Sequence, residues 1–229
     1  MKIPKRSYFV ISHKERWGLT IWGWFFLIVI ITIPLYFLIT NLYGILAPVH
    51  REKTDILVVE GFVSDEVLNM AIKEFNSKHY SLLITTGTPL EWGHLLIAYE
   101  NTANIAAASL IKMGFDSTHL VSIGTKEIRN DRTYNSALEL RRWLRKNRPA
   151  TKAINLLTMC VHGGRSRMLF QYALGDSIKV GVISMKSYYY GEHDWWKSSK
   201  GFRETINEAI GYFYVRYFFR PYEKEMKLK

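Results

Sequence analysis

The feature that most constrains this 229-residue chain is an uncharged apolar stretch close to its N-terminus. No Asp, Glu, Lys or Arg occurs between Arg16 and Arg51, and residues 21–40 within this interval are mostly apolar. Twenty residues of α-helix rise about 30 Å, which is the thickness of the hydrocarbon core of a bilayer. The sequence therefore predicts a single transmembrane helix over residues 18–47.

Two other interpretations of this stretch are less consistent with its length and flanks. A cleaved signal peptide has a shorter apolar core, of roughly 7–15 residues, and a small-residue cleavage site, which residues 46–48 do not resemble. A buried helix of a globular core would leave unexplained the aromatic residues near both ends, because amphipathic rings prefer the membrane interface. These residues are Trp17, Trp22, Trp24 and Tyr43.

The distribution of basic residues predicts the orientation of this helix. Five of them precede it, whereas only Arg51 and Lys53 follow it closely. Cytoplasmic flanks of membrane helices are enriched in Lys and Arg. We therefore expect residues 1–17 to form a basic cytoplasmic segment and the chain after about residue 50 to lie outside the cytoplasm.

The charge and cysteine content limit the classes of partner. The net charge of +11 favours an anionic partner or surface. A domain outside the cytoplasm does not meet nucleic acid, and no aromatic-basic RNA-binding motif is present. Part of the charge lies in the N-terminal flank and in a basic tail, residues 221–229, where it can face the anionic lipids of the bilayer. A single cysteine, Cys160, excludes an internal disulfide and a four-cysteine zinc site.

Residues 54–220 alternate between short apolar runs and amphipathic stretches, a pattern typical of βαβ units. The predicted strands are 55–60, 81–86, 120–123, 153–159 and 179–184, and the predicted helices are 64–77, 99–113, 132–147, 164–174 and 200–219. Nearly continuous apolar strands are typical of a sheet covered on both faces. We therefore expect an α/β domain with a Rossmann-like parallel sheet of about five strands and helices on both faces.

In open α/β sheets, ligands bind beyond the carboxyl ends of the strands, and this rule selects the candidate site residues. They are Glu60 and Gly61 after the first strand; Thr86 and Gly87 after the second; Asp131, Arg132, Thr133 and Asn135 after the third; and His162, Gly163, Arg165, Ser166 and Arg167 after the fourth. Glycines allow a backbone to approach a ligand closely, and arginines pair with phosphate or carboxylate. The cluster indicates a site for an anion.

The residue types allow more than one role for each of these side chains. His162 is a candidate acid or base, with Asp131 or Glu60 as its partner. In the alternative interpretation, Asp131 or Thr133 only caps a helix, the arginines are solvated, and His162 caps a loop. A metal held by Asp131 and His162 is compatible with the sequence, but nothing in the spacing requires one, and we assign no metal and no cofactor.

The order of these segments resembles the YdcF/SanA/ElyC-like family, a domain of unknown function found in bacterial envelopes. The resemblance spans roughly residues 54–218, with motifs at 55–61, 85–87, 131–137 and 155–167, and with Trp195, Trp196 and Glu208 beyond them. It implies a Rossmann-like fold, one polar crevice, and a role in envelope or peptidoglycan biogenesis at the bacterial cytoplasmic (inner) membrane. It supplies no secure reaction.

Two functions are consistent with these observations. The first is a membrane-anchored envelope protein that binds or processes an anionic ligand, phosphorylated or a lipid-linked glycan. The second is a non-catalytic scaffold for other envelope proteins, in which aromatic residues of 188–196 stack on a glycan or a partner. Helical spacing of the aromatic residues in 202–219 favours core packing for that helix, although its basic end could rest on a bilayer.

Overall fold

The computed structural model describes residues 19–90, 98–125 and 130–221, and it divides at Thr40 and Asn41 into two units. Helix α1, Ile21–Leu46, includes Pro34 and supplies all the described helical residues of the first unit. Its most apolar window is long and apolar enough to cross a membrane, and none of that window is buried. The predicted segment 1–17, residue 18 of the predicted anchor, and the predicted tail after Pro221 lie outside the described residues.

The second unit is built on a six-stranded sheet, which confirms the predicted α/β class. The strands are β1 (Val49–His50), β2 (Ile56–Glu60), β3 (Leu82–Gly87), β4 (Leu120–Gly124), β5 (Ala153–Met159) and β6 (Lys179–Met185). Their order is β1-β6-β5-β2-β3-β4, with β2 to β6 parallel and β1 antiparallel to β6. The strand order reverses between β2 and β5, where such sheets form a crevice.

Helices cover both faces of this sheet. They are α2 (Asp65–Ser77), α3 (Thr102–Lys112), α4 (Arg132–Asn147), α5 (Gly163–Leu174) and α6 (Ser199–Tyr217). Alternate residues of a strand point to opposite faces. Accordingly, Leu57 and Val59 pack in a cluster with residues of α2 and α3, whereas Ile56 and Val58 pack with residues of α4, α5 and α6. This two-sided burial explains why the strand sequences are continuously apolar.

The α/β unit begins earlier in the chain than the predicted start at residue 54, because its first residues are already packed against the domain. Tyr43 and Leu46 are buried in a small cluster with residues of α6, and β1 adds to the edge of the sheet. Asn155 on β5 then fixes the connection, because its side-chain oxygen accepts from the backbone of Glu52 at 2.8 Å. The segment between α1 and β2 is therefore part of the α/β unit.

Candidate functional site

A pocket of about 410 Å³ lies at the carboxyl ends of β2 and β3 and at the beginnings of α4 and α5. The predicted residues that line it are Glu60, Thr86, Gly87, Asp131, Arg132, Thr133, His162 and Arg165. Helix α6 closes the other side with residues that include Tyr214 and Val215. The pocket is thus at the switch point of strand order, where the topology of the sheet leaves room for a ligand.

A single 3₁₀ turn, Cys160–His162, carries His162 from the end of β5 to the start of α5. Cys160 has a φ of 44°, a left-handed conformation that is uncommon for a residue with a side chain. Its side chain is buried within hydrogen-bonding distance of the Tyr190 hydroxyl, at 3.2 Å. The turn is therefore anchored from behind, and the His162 ring packs edge-on against Phe62 at 5.1 Å between centroids.

The proton of the neutral His162 ring is assigned from its neighbours. Nδ1 lies 2.9 Å from Oε1 of Glu208 and 3.0 Å from Nη2 of Arg165. A carboxylate only accepts and a guanidinium only donates, so Nδ1 satisfies one of them. Arg165 Nη2 already donates to Glu208 Oε1, and an unprotonated Nδ1 would place its lone pair against the same oxygen. The proton therefore belongs on Nδ1, and Nε2 carries the lone pair.

Glu208 is held by charge as well as by this hydrogen bond. Arg165 donates from Nε to Oε2 at 2.7 Å and from Nη2 to Oε1 at 3.0 Å, which is a bidentate ion pair. Burial favours the neutral acid, but hydrogen bonds from His162 and Arg165 outweigh it and lower the pKa of Glu208 to about 2. Burial likewise opposes the Arg165 charge, yet Glu208 more than compensates and the pKa of Arg165 is raised. Glu208 is therefore a carboxylate at neutral pH.

The other ring nitrogen has no hydrogen-bond partner among the residues that the structure describes. Nε2 of His162 exposes less than 1 Å², and it lies 3.8 Å from Oε2 of Glu60, which is too long for a hydrogen bond. Glu60 is itself buried and accepts from the Ser166 hydroxyl at 2.9 Å. His162 thus stands between two carboxylates, bonded to Glu208 on one side and separated from Glu60 on the other.

The loop before α4 forms another wall. Asp131 has a left-handed φ of 51° and makes no side-chain cap bond to α4. Asn135, one turn later, donates from its side-chain nitrogen to the carbonyls of Asn130 and Asp131. Asn135 therefore fixes the loop from within α4, while the exposed Arg132 lies at the rim of the pocket.

The wall formed by the end of β3 requires glycine. A Cβ on Gly87 would overlap the Thr102 side chain and the backbone of Ala103. The neighbouring Thr86 hydroxyl is buried and has no hydrogen-bond partner in the described part of the chain. A close backbone contact and a buried hydroxyl with spare hydrogen-bonding capacity therefore meet at this wall.

Five of the predicted ligand-binding residues do not line the pocket. Gly61 packs against the backbone of α3, Gly163 against the Ser184 side chain, and Arg167 donates to the Val180 carbonyl at 3.0 Å. Ser166 donates to Glu60, and Asn135 donates to the carbonyl of Asp131, so both support residues of the pocket without lining it.

The hydrogen-bond partner of His162 differs from the expected one, since Glu208 and not Asp131 or Glu60 bonds to the ring. Sequence reasoning noted Glu208 only through the family resemblance, because nothing in its spacing links it to His162.

The site contains no evident metal centre. Among residues 19–90, 98–125 and 130–221, no group of three His, Cys, Asp or Glu side chains is placed to hold a metal ion.

Comparisons of the chain with models of protein families, with curated proteins and with solved structures find no match. The chemistry of the site must therefore be argued from its own residues.

Proposed function

We propose that this chain is a membrane-anchored protein of the bacterial envelope that binds or processes an anionic ligand in this pocket. The ligand class is a phosphorylated compound or a lipid-linked glycan, and the family resemblance supplies the link to envelope and peptidoglycan biogenesis. The observation that carries the proposal is the His162–Glu208 pair in the pocket wall, which leaves a buried ring nitrogen without a hydrogen-bond partner in the described part of the chain. A group of this kind rarely persists in a protein without a role.

The membrane assignment rests on α1 and on the charge of its flanks. One uncharged helix of 26 residues supports a single-pass anchor. The excess of basic residues before it supports a cytoplasmic N-terminus and an α/β unit outside the cytoplasm. In that compartment the partners are lipid, envelope metabolites and other envelope proteins, not nucleic acid.

In the proposed chemistry His162 accepts a proton at Nε2. Glu208 orients the ring and stabilises the imidazolium that forms, as a carboxylate does behind a catalytic histidine. Phe62 packs against the ring and is 43% exposed, so a rotation of this side chain gives a ligand access to Nε2. Arg165 is engaged by Glu208 and acts as a positioning residue, and the anion is proposed to meet Arg132, which lines the pocket, and the start of α4.

The alternative, a non-catalytic binding factor, is favoured by exposed aromatic residues outside the pocket. Tyr188 and Tyr189 are 91% and 64% exposed, and Trp196 is 40% exposed. Exposed rings of this kind stack on glycans and on partner proteins. Tyr190 and Trp195 are buried and are not available for such contacts.

The test is thermal unfolding of the full chain in detergent against a panel of ligands. The panel holds inorganic phosphate, lipid-carrier phosphates, nucleotide sugars and peptidoglycan fragments. A ligand at 100 times its Kd adds about 2.7 kcal/mol of stability, which is a readable shift. Arg132→Ala should abolish the shift, whereas Arg167→Ala, which removes an arginine outside the pocket, should leave it unchanged.

The outcomes separate the two functions. A shift that survives Arg132→Ala places the anion elsewhere and contradicts the assignment of the pocket. If no ligand shifts the transition, the scaffold function is favoured. With a ligand in hand, turnover that is lost in His162→Gln while binding is retained identifies the base, and unchanged turnover excludes it.

A further inference from the structure

Helix α6 has an aromatic face that the α/β unit does not cover. Its residues are Ile210, Phe213, Tyr214, Tyr217 and Phe218, which we call the α6 face, and each is 52–65% exposed. Their spacing of three and four residues places them on one side of the helix. The sequence alone favoured core packing for these aromatic side chains, and the structure corrects that expectation.

The α6 face is continuous. The rings of Phe213 and Tyr217 lie 4.7 Å apart between centroids. The ring of Phe218 is tilted against Phe213 at 6.0 Å and stacked with Tyr214 at 6.5 Å. Single exposed apolar residues are common on soluble proteins, but a contiguous patch of large ones marks a surface that another phase or molecule covers.

The charge around the α6 face identifies what covers it. From Ala209 to Pro221 the sequence contains two arginines, Arg216 and Arg220, and no acidic residue. Both arginines are exposed. Aromatic and apolar side chains with flanking cations are typical of helices that lie in the interface of an anionic bilayer.

Other residues of α6 pack against the beginning of the α/β unit, where the apolar helix α1 ends. Ile206, Ala209 and Tyr212 pack in one cluster with Tyr43 and Leu46. Leu46 is the last residue of α1, the helix that is long and apolar enough to cross a membrane. A surface on a helix that packs against the end of such a segment is tethered at high effective concentration to any bilayer the segment crosses.

We propose that the α6 face is a bilayer-docking surface that inserts its aromatic side chains among the head groups of anionic lipids. Tyr214 belongs both to this face and to the lining of the pocket, so docking would bring the rim of the pocket to the lipid surface. Docking requires the exposure, charge and packing of α6 and the span α1, and it does not require a catalytic pocket.

The experiment measures lipid contact at single positions in the full chain, reconstituted with one chain per lipid nanodisc. Phe213→Cys carries an environment-sensitive fluorophore, and the matched control is Ile111→Cys, an apolar position on α3 that is 49% exposed and outside the α6 face. The unsubstituted chain serves as the blank, because its single cysteine, Cys160, is buried. Quenching is read with phospholipids brominated at shallow or deep acyl positions.

We expect strong quenching at position 213, greater with shallow than with deep bromines, because interfacial helices sit roughly 5–10 Å into the boundary. Position 111 should be quenched much less. Replacing both Arg216 and Arg220 by Gln should reduce the quenching in anionic lipid. Equal quenching at 213 and 111, or none at 213, would overturn the proposal. Quenching that is absent with one chain per disc, together with self-association in detergent, would show that a second copy covers the face and would also overturn it.

Discussion

The ion pair behind His162 supports a quantitative prediction for the variant Glu208→Gln. The substitution keeps the shape of the side chain but removes the charge that Arg165 and His162 share. The Arg165 side chain is only about a quarter exposed, so its charge would be left largely buried without its partner. Removal of one member of a buried pair is strongly destabilising for this reason.

The magnitude follows from the pKa of Glu208. The fall from 4.5 to about 2 corresponds to roughly 3 kcal/mol of folded-state stability at neutral pH. Because the folded-state pKa is below the unfolded-state value, this contribution is complete above about pH 5 and is lost as the pH falls towards 2. At pH 3 roughly 1.4 kcal/mol of it remains. We therefore expect Glu208→Gln to destabilise the fold by about 3 kcal/mol at pH 7 and by about half as much at pH 3.

Guanidinium-chloride unfolding of the full chain in detergent, followed by tryptophan fluorescence, measures both values. The matched control is Glu139→Gln, which removes the acidic partner of Arg142 in a surface pair and should cost less than about 0.5 kcal/mol. The double variant Arg165→Met, Glu208→Gln should recover part of the loss, since no buried charge remains unpaired. A penalty below about 0.5 kcal/mol at pH 7, or one that is equal at pH 7 and pH 3, would show that the charge of Glu208 does not stabilise the fold.

Three further substitutions test the packing behind the pocket and the connection that precedes β2. Gly163→Ala places a Cβ against the Ser184 hydroxyl and should destabilise the fold by about 1–3 kcal/mol in the same denaturation assay, whereas no loss would mean that Ser184 moves freely. Asn155→Ala removes the side chain that bonds the backbone before β2, and we expect a loss of about 1–3 kcal/mol; hydrogen exchange at residues 49–54 should rise, and unchanged exchange would contradict the role given to Asn155. Ser166→Ala removes the hydroxyl donor to the buried Glu60, for which we expect about 1–3 kcal/mol by thermal unfolding, and a neutral result would show that this carboxylate has another donor.

The sheet was predictable because its strands are simple in sequence. β2, β3 and β5 are buried on both faces and read as apolar runs, and the observed bounds of β5 and α4 equal the predicted ones. Strand β1 was not predicted, since two residues, Val49 and His50, carry no periodic pattern. It forms because the edge of β6 is available for pairing, which is a property of the folded sheet.

The candidate site was predictable only at the level of loops. The carboxyl-end rule brought Glu60, Asp131 and His162 to one pocket, although they are far apart in sequence. The rule could not supply Glu208, which lies on α6, 46 residues after His162, and reaches the ring through helix packing. It also could not show that Arg167 points towards the Val180 carbonyl and away from the pocket.

The terminal helix shows how periodicity alone misleads. Aromatic residues at helical spacing in 202–219 indicate a face that another element covers, and Val215 and Phe219 are indeed buried. The same helix presents Phe213, Tyr217 and Phe218 outwards. From Ala209 to Phe219 every residue except Arg216 is apolar, aromatic or glycine, so spacing cannot distinguish the side that meets the core from the side that does not.

Measurement of the His162 tautomer tests whether Glu208 holds the ring so that Nε2 is the basic nitrogen of the pocket. Nitrogen NMR of the isotopically labelled full chain in detergent, assigned with His162→Gln, distinguishes the two neutral forms. We expect the neutral form of the ring to carry its proton on Nδ1, and to convert to the other tautomer or to a mixture in Glu208→Gln. A neutral form protonated at Nε2 in the unsubstituted chain would contradict this expectation, because Nε2 could then not accept a proton.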